Sequence, residues 1–134
     1  MRATFRGMRA VLRSRLHAAG LDLGIWFHLR VLWEEDGLTQ KELSHRVDDL
    51  QPSSAAALRL LEQSELVRLE KDPRDKRKVR IFLTGKGRAK RRVLREVEEV
   101  NERIVLAGFS AEDASQLKDF LRRIRANVAA HRGE

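Results

Sequence analysis

Apolar residues recur along this chain at two spacings, one of three to four residues and one of two, and the order in which these alternate outlines a fold. Phe5, Met8, Leu12 and Leu16 share one helical stripe, with Arg2, Arg6, Arg9, Arg13 and Arg15 around it, before the break AAGLDLG. This predicts an amphipathic first helix over residues 4 to 18, whose stripe has no partner nearby in sequence. From Ile25 to Glu35, the residues Trp26, Leu29, Val31, Leu32 and Trp33 leave little of the circumference polar. A second, largely buried helix is expected there, ended by Asp36-Gly37.

LTQKEL, residues 38 to 43, reads as a capping box. Thr39 accepts from the backbone N–H of Glu42, Glu42 reaches back, and Leu38 and Leu43 form a hydrophobic staple. A third helix should start near Gln40, with Leu43 and Val47 on its inner face. Pro52 is favoured in a first turn, so a fourth helix is expected from about Pro52 to Ser64. At about 100° per residue, Ala57, Leu58 and Leu61 face inward while Ala55, Ala56, Arg59 and Gln63 point away. Val67 and Leu69 then alternate, Asp72-Pro73 turns the chain, and Val79, Ile81 and Leu83 alternate on the return, predicting a two-stranded hairpin. Beyond Thr84, the stripe Val93, Val97, Val100, Ile104 predicts a long helix stopping at Gly108. Ser110 and Asp113 form a second capping box, opening a last helix with Leu117, Phe120, Leu121, Ile124 and Val128 on its stripe.

Composition sharpens this outline in one place. With 134 residues, the chain fits one domain or a compact pair of subdomains sharing a core. The net charge is +8, but residues 68 to 95 hold thirteen Lys/Arg against three Asp/Glu, leaving everything else near −2. So local a charge is the footprint of a polyanion binder. The absence of cysteine excludes disulfides, thiolate nucleophiles and cysteine-ligated metals. His17, His28, His45 and His131 show no metal-ligand spacing, TGKG at 84 to 87 is too short for a phosphate loop, and no Ser, His and acid combination stands out. No enzymatic activity, cofactor or metal is expected. The basic start MRATFRGMRAVLRSRL lacks the apolar core of a secretory signal, and no stretch approaches the roughly eighteen apolar residues of a membrane span. A soluble, cytoplasmic protein without membrane partners is the expectation.

Two short helices joined by a tight turn and followed at once by a basic hairpin make a winged helix-turn-helix, whose second helix enters the DNA major groove. The ordered set LTQKELSHRV and LEQSELVRLEKDPRDKRKVRIFLTGKGR, with Asp75-x-Arg77, Leu83-Thr84 and Gly87 in the second, resembles the MarR family of bacterial regulators over nearly the whole chain. The fold class expected is mainly α with a small β-hairpin wing, the N- and C-terminal helices forming a dimerisation region. Residues 1–22 and 85–134 would supply that region and residues 23–84 the reader, in one compact domain overall. Beyond the fold, the resemblance implies a homodimer, with Phe5, Met8, Leu12, Val97, Val100, Ile104, Leu117, Leu121 and Ile124 at its interface. Three apolar stripes outside the winged core support that independently.

The expected partner is double-stranded DNA carrying a pseudo-palindromic operator, and the expected role is sequence-specific regulation, as a repressor. In the fourth helix, Ser53 and Ser54 would bind phosphate, Ala55 and Ala56 would touch thymine methyls, and Arg59 would read guanine or grip the backbone. This run departs from the threonines and arginine of many family members, so the target sequence is not readable. In the wing, Arg77 would enter the minor groove or clamp a phosphate, oriented by Asp75, with Arg74, Lys76, Lys78 and Arg80 as phosphate contacts or a solvated fringe. Lys86, Arg88, Lys90, Arg91 and Arg92 oppose the dipole of the fifth helix, which a nearby polyanion explains. The resemblance also implies an effector pocket for a small aromatic anion, with Arg13, His17, Trp26 and Arg30 as candidates, although tryptophans at helical spacing are more often core. The competing readings are a winged-helix protein-interaction module, favoured by the alanine-rich fourth helix, and a non-specific nucleic-acid-binding protein.

Overall fold

The structure is a computed structural model that describes residues 1–47 and 54–132. Its elements run α1 (Arg2–Ala18), α2 (Leu23–Glu34), β1 (Leu38–Thr39), α3 (Gln40–Val47), α4 (Ser54–Gln63), β2 (Val67–Lys71), β3 (Val79–Leu83), α5 (Gly85–Val105) and α6 (Ala111–Arg132). Pro52, expected to open the fourth helix, lies outside the described residues. The architecture is mainly helical with one small antiparallel sheet in the order β1-β3-β2.

That sheet has three strands, where the alternation of apolar residues predicts two. Leu38 pairs with Ile81 and Thr39 with Arg80, so the dipeptide before α3 becomes an edge strand. A two-residue strand is too short to show periodicity, and only the arrival of β3 beside it creates it. The second helix also begins earlier than expected, because Asp22 caps it through a hydrogen bond from the Gly24 N–H at 2.7 Å. At α3, the Glu42 N–H donates to Thr39 Oγ1 at 3.2 Å, and the Glu42 carboxylate accepts from the same hydroxyl rather than from the Thr39 backbone. The cap of α6 follows its sequence signal, the Asp113 N–H donating to Ser110 Oγ at 3.0 Å.

One core joins the inner faces of these elements. Leu16 of α1, Leu29 and Leu32 of α2, Leu43 of α3, Leu61 of α4, Ile81 of β3 and Leu94 of α5 are essentially inaccessible. By internal contacts, the chain divides into two units, residues 1–101 and 102–134. The core lies in the first. In the second, Lys118 pairs with Glu102 and Arg122 with Asp119, and no residue of α6 is buried. Among the described residues, no helix is long and apolar enough to cross a membrane.

Two backbone devices set the joints around the reader. Helix α4 ends in a Schellman arrangement: the Leu66 N–H donates to Leu61 O and the Glu65 N–H to Glu62 O, with Glu65 at φ 58°. Helix α5 begins against β2, where Gly87 lies so close to Leu66 that an added Cβ would sit 2.1 Å from the Leu66 carbonyl oxygen. Thr84 clamps this joint, its N–H donating to Leu66 O at 3.0 Å and its hydroxyl to Glu65 O at 2.6 Å.

Candidate nucleic-acid interface

The wing is the hairpin β2–β3 with its connecting loop, paired from Val67↔Leu83 to Lys71↔Val79. Val67, Ile81 and Leu83 are buried, anchoring its root, while Leu69 and Val79 nearer the tip are about 41% exposed. The loop folds on its own acids. Asp72 N–H donates to Lys78 O and Lys78 N–H to Asp75 O, both at 2.9 Å. Asp75 Oδ1 accepts from Arg77 twice, from the backbone N–H at 3.1 Å and from Nε at 3.2 Å. These contacts, led by the Arg77 side chain, hold the Asp75 carboxyl below the usual carboxylate range. The Arg77 side chain nonetheless remains 91% exposed. Arg74, Lys76 and Lys78 are also exposed and form no ion pair among the described residues.

Not every cation of this segment is free. Arg80 Nε donates to Asp72 Oδ2 at 2.7 Å and Arg80 Nη1 to Gly37 O at 2.9 Å, which removes Arg80 from the expected solvated fringe. Arg68 lies over the Phe82 ring at 5.1 Å and bonds Glu70 Oε1 and Leu83 O. Arg88 reaches Asp36 at 3.4 Å and Arg92 reaches Glu96 at 3.6 Å. Arg74, Lys76 and Lys78 at the wing tip thus stand with Lys86, Lys90, Arg91 and Arg95 of α5 as cations that form no ion pair among the described residues.

The reader helix α4 buries Ala57 and Leu61 and exposes Ala55, Ala56 and Arg59, the faces expected from spacing. Ser53 lies outside the described residues. Ser54 faces a fully buried His28 of α2, which sequence reasoning missed as a participant because a lone histidine on an apolar helix gives no signal. His28 Nδ1 is 2.8 Å from Gly24 O and Nε2 is 3.3 Å from Ser54 Oγ. A carbonyl only accepts, so Nδ1 carries the proton and Nε2 accepts from the Ser54 hydroxyl. Burial pushes the imidazole pKa below its ordinary value, and the Gly24 bond, which favours the protonated ring, offsets this only in part.

The four residues expected at an effector pocket do not converge. Arg13 and His17 line a cavity of about 530 Å³ between α1 and the start of α2, joined by Arg9, Ser14 and Leu21. Trp26 is buried in the core, and Arg30 stacks over its ring at 5.5 Å while approaching Glu98 at 3.8 Å. Arg30 borders a separate cleft of about 180 Å³ with Trp33, Arg91 and Arg95. Among the described residues, the buried donors Arg9 Nε and Trp26 Nε1 find no acceptor.

The expected interface residues also divide. Phe5 and Met8 on α1 are exposed, and within the second unit so are Ile104, Leu121 and Ile124. Val100 and Leu117 are half-buried. Val97 belongs instead to the chain's own core, and Leu12 packs against that core. A stripe read from spacing does not tell which of its turns a neighbouring helix of the same chain will cover.

Comparison with known proteins gives a consistent result. The family model described as "MarR family" matches residues 23–79, which run from α2 to the first residue of β3. The chain is 26% identical over 117 residues to the uncharacterized HTH-type transcriptional regulator YybA of Bacillus subtilis, covering 86% of this chain and 78% of that protein. It is 47% identical over 60 residues to the HTH-type transcriptional regulator TtmR of Methylorubrum extorquens, spanning 31% of that protein's length. The fold matches the crystal structure of a MarR transcriptional regulator from Methanosarcina mazei with a TM-score of 0.85 at 22% identity, over 96% of this chain and 92% of that one.

Proposed function

Because this chain belongs to the MarR family of transcription regulators, we propose that it acts as a homodimer that binds a pseudo-palindromic DNA operator and represses transcription by occupying a promoter. The observation that carries this reading is the wing tip, where Arg74, Lys76, Arg77 and Lys78 project into solvent beside a reader helix whose outward face is small. A phosphate backbone satisfies those charges, and the reader fits the major groove. Asp75 fixes the base of the Arg77 guanidinium, so the side chain enters a groove or meets a phosphate with less freedom to lose.

Dimerisation supplies the second reader, with half-sites about one helical turn apart. It is supported by apolar surface that would otherwise face water: Phe5 and Met8 in the first unit, and Phe109, Phe120, Leu121, Ile124 and Val128 in the second. The cavity lined by Arg9, Arg13 and His17 suits an anionic effector, whose carboxylate would meet the arginine guanidinium groups. An effector held there would change the separation of the two readers and release the operator.

Selection of random duplex DNA on the purified protein, with solution mass measured in parallel, tests this function. One enriched inverted repeat, a mass of two chains and a log affinity falling with log salt by about 0.9 per phosphate contact are expected. Enrichment of no motif would replace it with an interaction module or a non-specific binder.

A further inference from the structure

The Asp36-Gly37 turn that closes α2 is bonded to β3 along its length. Asp36 Oδ1 accepts from the Leu83 N–H at 2.9 Å, the Gly37 N–H donates to Ile81 O at 3.0 Å, and Gly37 O accepts from Arg80 Nη1 at 2.9 Å. Gly37 itself sits at φ +75°, a conformation glycine adopts without strain. The other arm of the Arg80 guanidinium holds Asp72 Oδ2 at 2.7 Å, where the strand β2 gives way to the wing loop. Asp72 in turn accepts the Arg74 N–H on Oδ1 at 2.8 Å, fixing the first turn of that loop. Its side chain is 8% exposed and that of Arg80 is 34% exposed, unlike the 91% of Arg77.

We propose that Arg80 is a wing-positioning residue and not a DNA contact: its guanidinium fastens the root of the wing loop, through Asp72, to the turn that ends α2. The wing then takes its angle from α2, and any displacement of that helix end is passed to the cationic tip. Arg80 is suited to this because its planar fork bonds a carboxylate and a carbonyl at once, which a lysine ammonium does not reproduce with the same geometry. The inference rests on the wing's proposed role at DNA for its functional consequence, but the latch is a property of the protein alone.

Two measurements test it. The first needs no DNA: amide hydrogen exchange over residues 72 to 79 in Arg80→Met and Asp72→Asn. Each variant should exchange there about ten-fold faster than wild type, the equivalent of one charge-assisted hydrogen bond. The double variant should add little, because both changes open the same link. Unchanged exchange in Arg80→Met, or strictly multiplied effects in the double variant, would overturn the latch whether or not the protein binds DNA.

The second measures affinity and its salt slope on the duplex enriched by selection. Removing an anion beside a DNA-binding surface ordinarily tightens binding, so Asp72→Asn discriminates by sign. The latch requires Asp72→Asn to weaken binding several-fold and Arg80→Met to leave the salt slope unchanged. Tighter binding by Asp72→Asn, with a slope reduced by about one in Arg80→Met, would return Arg80 to the phosphate contacts. Wild-type protein that enriches no duplex would refute the proposed function, and the exchange result would still decide the latch.

Discussion

Replacing Gly87 with alanine tests whether the joint between β2 and α5 is as tight as it looks. Helix propensity alone predicts a gain, since alanine in a helix is favoured over glycine by about 1 kcal/mol. The structure predicts the opposite sign. The new Cβ would meet Leu66 O at 2.1 Å, Leu66 C at 3.1 Å and Leu83 Cδ2 at 3.1 Å, so α5 must retreat by roughly an ångström. Retreat strains the bonds that hold it: Thr84 N–H to Leu66 O at 3.0 Å, Gly87 N–H to Thr84 Oγ1 at 3.1 Å, and Trp33 Nε1–H to Gly87 O at 3.0 Å. Overpacking costs about 1–3 kcal/mol. Loss of two such bonds costs about 2 kcal/mol more. Against the propensity gain, the net loss is about 2–4 kcal/mol. Urea unfolding followed by tryptophan fluorescence measures it, with Trp33 reporting from the joint itself. Gly85→Ala, two residues earlier with nothing within 4 Å of its Cβ, is the control and should be neutral or slightly stabilising. A Gly87→Ala protein as stable as wild type would refute the argument, because the Leu66 and Leu83 contacts and the bonds they strain are what oppose the propensity term.

Other consequences follow from single contacts. Glu65 occupies the left-handed position that ends α4, so Glu65→Gly should stabilise the protein by about 0.5–1 kcal/mol in the same assay. His28 has a folded pKa below its ordinary value, so the stability it contributes is fully present above about pH 6.5 and is lost as pH falls toward the lowered value. Wild-type urea midpoints should therefore decline from pH 7 to pH 5, and His28→Leu should remove that component of the slope. Arg77→Ala should leave the urea midpoint unchanged, as the side chain is 91% exposed, yet weaken binding to every duplex and lower the salt slope by about 0.9. A loss confined to A·T-rich flanks would assign Arg77 to minor-groove width instead.

Much of this protein is legible in its sequence because local rules and the global fold agree. The capping boxes at Thr39 and Ser110 start α3 and α6, the alternation of Val79, Ile81 and Leu83 makes β3, and spacing on α4 separates buried Ala57 and Leu61 from exposed Ala55, Ala56 and Arg59. The concentration of charge between Arg68 and Arg95 is equally plain. These features depend on neighbours within a turn or a hairpin, so the order of residues fixes them.

What the sequence left open depends on partners distant along the chain. The strand β1 exists because β3 arrives beside it, and the end of α4 carries no glycine to announce it. The wing's cations read alike in one dimension. Only tertiary structure sorts them, giving Arg80 to Asp72 and Gly37, stacking Arg68 on Phe82 and leaving Arg74, Lys76 and Lys78 without an ion pair among the described residues. His28 meets Ser54 across 26 residues, and Arg13 and His17 line a cavity that Trp26 and Arg30 do not share. Periodicity determines which face of an element is apolar, because that is set by bond geometry within the element. Which charge is paired and which remains free is decided by distances between elements, and those exist only once the chain has folded.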